Sequence, residues 1–384
     1  MAITRATGMP GGSEGSPLLD VRALNRALLA RQLLLERVRL PVIEVVERLA
    51  GLQAQATNAP YYALWARVEG FRQEQLSELI RDKQVVRMAL MRATLHLSSA
   101  SDALLLRPWL EPVMVRSLKG VYGKQLQGAD LEQLAAAGRE LLTAEPMTLG
   151  EAAQRLGERW PELAADAIAA AVRNRVPLVQ VPPRGIWGEG GQAAHTPIEA
   201  WLGQPLCREP EAGPLLRRYL AAFGPASVKD MQMWSGMTGI QKIVDGMRSE
   251  LAVFRDESGH ALFDLPEAPR PDADTPVAPR FLGEFDNILL SHADRGRIVD
   301  EAVRRRVFTV NGIIRPTILV DGFVAGIWKI LSERGRAVLS VEPFAGLAEP
   351  VRAALAEEGL RLLRFAEPDA AAYEVSFQAP PARV

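Results

Sequence analysis

Apolar residues first settle into a helical rhythm over residues 21–35, where Leu24, Leu28, Leu29 and Leu33 fall on one stripe. Pro41, tolerated at a helix start, opens a second run in which Val42, Val45, Val46 and Leu49 share a face and which ends at Gly51. Pro60 starts a third helix over 61–68, stopped by Gly70, and residues 73–82 form a fourth with Leu76, Leu79 and Ile80 inward. The period then changes to two. Residues 85–91 and 94–97 predict short strands joined near Arg92-Ala93, and Ser101 and Asp102 begin a helix over 103–117. Short helices followed by a β-hairpin is the order of a winged helix, a helix-turn-helix variant.

The same order recurs twice. Residues 131–142 read as a helix, and Thr148 with Glu151 three residues later is a capping-box pattern at the head of 148–160. An Ala-rich helix over 164–175 leads to candidate wing strands at 178–181 and 193–196. In the third round, 215–223 is helical and broken by Gly224-Pro225, Ser227 caps 228–235, and 239–249 follows. Strands 251–255 and 260–264 then close around Asp256-Glu257-Ser258-Gly259. Proline-rich stretches at 203–214 and 266–279 separate units. Beyond Pro279 the reading is strands at 313–320, 323–330 and 337–341, a helix over 347–358 closed by Gly359, and further strands at 360–365 and 373–377. Asp321-Gly322 marks a tight hairpin. The expected fold is α+β. A Gly/Ser-rich, disordered tail over 1–17 precedes winged helices over 18–118, 119–204 and 205–279, the last with its Pro-rich linker. A C-terminal antiparallel β domain follows over 280–384.

Composition narrows the partners. A formal net charge of −1 argues against a protein that coats nucleic acid, yet leaves room for one basic face. The single cysteine, Cys207, excludes a disulfide framework and a Cys-rich zinc site. No apolar run approaches membrane-spanning length and the N-terminus lacks a signal-peptide core, so a cytoplasmic protein without membrane contact is expected. The four histidines, His96, His195, His260 and His292, lack metal-ligand spacing. With no phosphate loop, strand-led GxGxxG or GxSxG elbow, neither metal nor cofactor is expected.

Candidate basic contacts are Arg87 and Arg92 around the first wing, Arg173 and Arg175 at the end of the 164–175 helix, and a dense group of Arg295, Arg297, Arg304, Arg305 and Arg306. That group sets five arginines against Asp300 and Glu301, and a solvated, salt-bridged face explains it as well as DNA does. Gln53 and Gln55 stand two apart in a short connection between helices, where a polar turn is the plain explanation. Core packing is the default for the aromatics that follow, Tyr61, Tyr62 and Trp65, and Tyr61 is the one that a functional reading places beside the glutamines.

Several segments together resemble one family. They are Leu24-Asn25-Arg26-Ala27-Leu28-Leu29-Ala30-Arg31-Gln32, Gly51-Leu52-Gln53-Ala54-Gln55, Met91-Arg92-Ala93-Thr94-Leu95-His96-Leu97 and Phe285-Asp286-Asn287-Ile288-Leu289-Leu290-Ser291-His292-Ala293-Asp294-Arg295. The likeness, over roughly residues 20–365, is to the AlkZ/YcaQ family of winged-helix DNA glycosylases. It implies tandem winged helices on duplex DNA, a monomer, and excision of alkylated purines with unhooking of interstrand crosslinks. Some relatives protect antibiotic producers from their own DNA-alkylating product. The family's QxQ signature falls on Gln53 and Gln55, with Arg92, Thr94, His96, His292 and Asp294 as neighbours.

Amides make chemical sense for such a reaction. An N7-alkylated guanine is already cationic and leaves with little acid assistance. A Gln carbonyl can hold the attacking water and lay its dipole toward the sugar cation, but it cannot act as a true base. Nothing singles out a lysine for Schiff-base chemistry. A bulky lesion further predicts no deep, base-sized pocket at Gln53. Two readings compete: a non-enzymatic winged-helix transcription regulator, and a multi-winged scaffold that binds protein.

Overall fold

The computed structural model describes residues 15–379. The tail expected over 1–17 lies, for residues 1–14, outside the described residues. The carbonyls of Ser16 and Pro17 already accept hydrogen bonds from Arg255.

The chain begins with α1 (Val21–Arg31) and α2 (Val42–Arg48), a two-residue strand β1 (Leu52–Gln53), α3 (Ala59–Arg67) and α4 (Gln73–Arg81). Strands β2 (Val85–Ala89) and β3 (Leu95–Ser99) follow, then α5 (Ala100–Trp109) and α6 (Glu111–Tyr122). The single helix read over 103–117 is thus two, because Pro112 enters at the head of α6 and restarts the helix after Leu110. Next come α7 (Leu131–Ala144), β4 (Met147–Thr148), α8 (Leu149–Gly157), α9 (Ala165–Arg175), β5 (Leu178–Gln180), β6 (Ala194–Pro197) and the short α10 (Ile198–Leu202). A third helical stretch holds α11 (Ala212–Phe223), α12 (Val228–Ser235) and α13 (Ile240–Gly246) before β7 (Ala252–Arg255) and β8 (Ala261–Asp264). The remainder is β9 (Arg280–Leu282), α14 (Glu301–Val307), β10 (Thr317–Val320), β11 (Phe323–Glu333), β12 (Arg336–Pro343), α15 (Glu349–Ala366) and β13 (Ala372–Phe377).

The architecture is mixed α/β with mainly antiparallel sheets. Helix starts follow local chemistry. Thr148 and Glu151 form the reciprocal capping box at α8, and Ser227 with Asp230 does the same at α12. Strands from the first two helical stretches join in one six-stranded sheet, ordered β1-β3-β2-β5-β6-β4. The joint is the β2–β5 pair, with Arg87 opposite Gln180 and Met88 opposite Val179. Strands β7 and β8 form a separate hairpin. The C-terminal sheet runs β13-β12-β11-β10-β9.

Two expectations for that last sheet need correction. It is not wholly antiparallel, since β13 pairs parallel with β12 across the α15 crossover. Residues 360–365 are not a strand either. Helix α15 runs through Gly359 to Ala366. A Cβ at Gly359 would sit 2.7 Å from Leu339 Cδ2 and 3.0 Å from a Val375 methyl. The glycine therefore lets the helix lie close on the sheet rather than ending it.

The core is continuous from α1 to the C-terminal sheet, with a second cluster among α7, α8 and α9. Polar ties cross it. Arg67 of α3 and Asp286 are both fully buried and meet through two bonds of 2.8 Å. Further bonds run from Arg67 to the carbonyls of Gln32 and Ala63, each at 2.9 Å.

Candidate active site

Gln53 ends β1, opposite His96 of β3. It therefore lies on a strand edge rather than in a free connection. The chain enters through Gly51 in a left-handed conformation (φ +85°), where a Cβ would stand 3.1 Å from the Leu97 carbonyl. Asn287 grips this entry from the far side. Its Oδ1 accepts from the Gln53 peptide N–H at 3.1 Å, and its Nδ2 donates to the Gly51 carbonyl at 2.6 Å. Ala54 is held as firmly: its N–H donates to the Leu95 carbonyl, and its own carbonyl accepts from Arg87 Nε and Nη2 at 3.0 and 2.6 Å. A rigid stretch thus carries one buried glutamine, Gln53, and delivers the next, Gln55, to the surface. The Gln55 Oε1 makes one long contact, 3.4 Å from the Leu95 N–H.

Arg92 completes the cluster. It sits in the loop between β2 and β3 with φ 57° and ψ 17°, and Ala93 is left-handed too. Such angles are uncommon for side-chain-bearing residues. Gly236, the left-handed cap of α12, packs directly on this loop; a Cβ there would lie 3.1 Å from Arg92 Cα. The Arg92 guanidinium donates to the Trp234 carbonyl at 2.5 Å and to Gln53 Oε1 at 2.6 Å, and its Nη2 lies 3.5 Å from His96 Nε2.

The protonation states follow from the partners. Burial, then the charge of Arg92, push His96 down to about 3, so its ring is neutral at physiological pH. Its Nδ1 lies 2.9 Å from the Thr94 carbonyl, which only accepts. The proton is therefore on Nδ1, and the Nε2 lone pair faces Arg92. Burial, then Arg295, lower Arg92 to about 10, which leaves it charged at neutral pH. The cavity lined by Arg92, His96, Trp234 and Asn287 measures about 10 Å³. That is room for a single water at most, and far too little for a purine.

The other sequence candidates divide. Thr94 turns its hydroxyl to the Met91 carbonyl at 3.0 Å, closing the loop that carries Arg92. Tyr61 does not lie beside the glutamines. Its buried hydroxyl meets Ser77, the Gly185 carbonyl and the Trp187 N–H. His292 is a core residue: its Nε2 lies 3.0 Å from the Phe223 carbonyl, and burial holds it well below the ordinary range. Asp294 lines a different cavity, of about 490 Å³, with Asp230, His260 and Arg297.

Among the arginines, Arg87 and Arg297 are buried and bonded to carbonyls, so neither is a phosphate ligand. Arg175 pairs with Glu111 and Glu132, Arg304 with Glu301, and Arg306 with Glu342. Arg173, Arg295 and Arg305 have no ion-pair partner among the described residues. Arg295 stacks on Phe308 at 4.6 Å and is near enough to depress Arg92. Sequence reasoning assigned no role to Asn287 or to the Trp234 carbonyl. Asn287 did stand inside a segment of the family likeness, but its partner lies 234 residues away.

In fold the chain resembles a DNA glycosylase. The solved structure of Streptomyces sahachiroi DNA glycosylase AlkZ matches it with a TM-score of 0.75 and 22% identity, over 94% of this chain and all of that one. By sequence, a curated relative from the same organism, named as an interstrand DNA cross-link repair glycosylase, is 26% identical over 341 residues. That match covers 82% of this chain and 88% of the relative. A family model described as DNA glycosylase AlkZ-like matches residues 46–365, and the chain belongs to that family. It is accordingly an enzyme, a hydrolase of N-glycosyl bonds in DNA, and the regulator reading is set aside.

Proposed function

We propose that this glycosylase excises N7-alkylated, cationic purines from duplex DNA, bulky adducts and interstrand crosslinks included. It acts as a monofunctional enzyme with Gln53 and Gln55 at the reacting nucleotide. One observation carries the reading. The groups around Gln53 are amides, a neutral imidazole and an arginine, and none can protonate a departing base near neutral pH. A substrate for such a site must bring its own leaving-group charge. The relative's role in cross-link repair supports the same lesion class.

The frame we assign is three winged helices over 18–118, 119–204 and 205–279 and a C-terminal β-rich domain over 280–384, acting as a monomer on DNA in the cytoplasm. Base excision repair and self-resistance to a DNA-alkylating natural product are both compatible uses. The turn bridging Phe308 and Ile314 adds a candidate DNA contact. Val310 is fully exposed at its tip, with Arg305 and Arg315 nearby in the chain, which suits an apolar wedge between base steps. The test is release of N7-methylguanine from duplex DNA and unhooking of an N7-linked crosslink. Both should proceed with wild type and fail with Gln53→Ala and Gln55→Ala. Unchanged excision by both variants would overturn the assignment.

A further inference from the structure

The two glutamines are not chemically equivalent. A guanidinium has five N–H donors and no acceptor, so the group that faces Arg92 at 2.6 Å must be the Gln53 carbonyl oxygen. This removes the usual ambiguity between the two ends of a Gln amide. The amide nitrogen of Gln53 is turned the other way. It has no hydrogen-bond partner among the described residues, and it is not among the buried atoms shut away from solvent. Gln53 therefore shows the substrate a donor. Gln55 is exposed, and its oxygen has only the 3.4 Å contact to Leu95. Its amide can turn either end outward.

Electrostatics decides what each end meets. Arg92 lies behind the Gln53 amide. A donor backed by that cation attracts a phosphate oxygen and opposes an oxocarbenium carbon. The water that attacks C1′ needs the reverse, an acceptor oriented away from that cation.

We propose a division of labour that rests on the excision reading above: Gln55 accepts the hydrogen bond of the attacking water, Gln53 donates through Nε2 to a backbone phosphate of the reacting nucleotide, and Arg92 is the positioning residue that fixes this orientation. Attack of the water oxygen on C1′ forms the new C–O bond as the C1′–N9 bond breaks. The bonding pair leaves with the cationic purine, which becomes neutral, and the water's proton passes to solvent.

The test compares glutamate at each position, in single-turnover excision of N7-methylguanine and in salt-dependent binding to the same duplex. Gln55→Glu keeps an acceptor and should stay within about 10-fold of wild type above the ordinary carboxylate range, whereas Gln55→Leu loses about 100-fold. Gln53→Glu keeps the bond to Arg92 but removes the donor. It should lose about 100-fold in rate and reduce the salt slope of binding by about one. Arg92→Lys should preserve most activity and Arg92→Met should not, with folding of every variant checked by circular dichroism. Equal tolerance of glutamate at both positions, with an active wild type, overturns this division alone. An inactive wild type overturns the excision reading and the division with it. If Gln53→Glu does not fold, Arg92→Met decides: wild-type rate and salt slope in that variant overturn the positioning role.

Discussion

Two arginines of the first helical stretch reach across the molecule, and they are treated in opposite ways. Arg67 is wholly buried and meets Asp286 through two bonds, so its charge is cancelled where it lies. Arg92 is half-buried and meets only neutral acceptors: a main-chain carbonyl, an amide oxygen and an imidazole lone pair. Burial lowers it to about 10, and among the described residues no carboxylate lies within ion-pair distance. The first arrangement fixes one geometry. The second keeps a positive charge beside the proposed site, which a purely structural role does not require.

The comparison can be broken at several points, from the largest effect down. Asp286→Ala strands a buried cation, and denaturant unfolding should show a loss of about 3–5 kcal/mol; a change below 1 kcal/mol would put Arg67 in the same class as Arg92. Arg92→Met should cost about 100-fold in excision rate while moving the unfolding midpoint far less than Asp286→Ala. Asn287→Ala frees the Gln53 N–H and the Gly51 carbonyl, for about 1–3 kcal/mol, and an unaltered excision rate would show that the grip on Gln53 is dispensable.

Acid sharpens the contrast. His96 and His195 are neutral in the fold, with values lowered by burial to about 3 and about 4, but take up protons near 6.5 when unfolded. Their stabilisation is complete above that value and is lost as pH falls toward 4. Each contributes a slope of about 1.4 kcal/mol per pH unit in that window, measurable by unfolding at pH 7, 6 and 5. Excision by the folded enzyme should be flat from about pH 6 to 9, because neither His96 nor Arg92 changes charge there. The smallest effect concerns the surface. Arg305→Ala should lower the salt slope of DNA binding by about one, and Arg306→Ala, which only frees Glu342, by less.

Much of the frame was legible because its signals are local. Thr148 with Glu151 and Ser227 with Asp230 cap the helices that their spacing predicted, and Asp321-Gly322 turns the hairpin between β10 and β11. Local reasoning failed where distant packing decides. Gly359 reads as a stop until Leu339 and Val375 are seen against it. Arg87 and Arg297 read as phosphate ligands until burial turns them to the carbonyls of Ala54 and Pro225. Of the candidate site, the QxQ pair, Arg92 and His96 were reached through the family resemblance, while the pairing of the two-residue β1 with β3, which sets Gln53 opposite His96, left no strand signal in the sequence. The role of Asn287 was not reached: only the completed fold carries it to Gln53.

The β2–β5 pair has a consequence for how this protein can be cut or shuffled. Repeated units suggest modules that could be deleted or grafted, as beads from a string. Here the first two share one hydrogen-bonded ladder, so a chain ending near residue 118 would leave β2 with an open edge where β5 had been. Such an edge invites pairing with another copy. A truncated gene product would therefore yield a sticky, self-associating fragment.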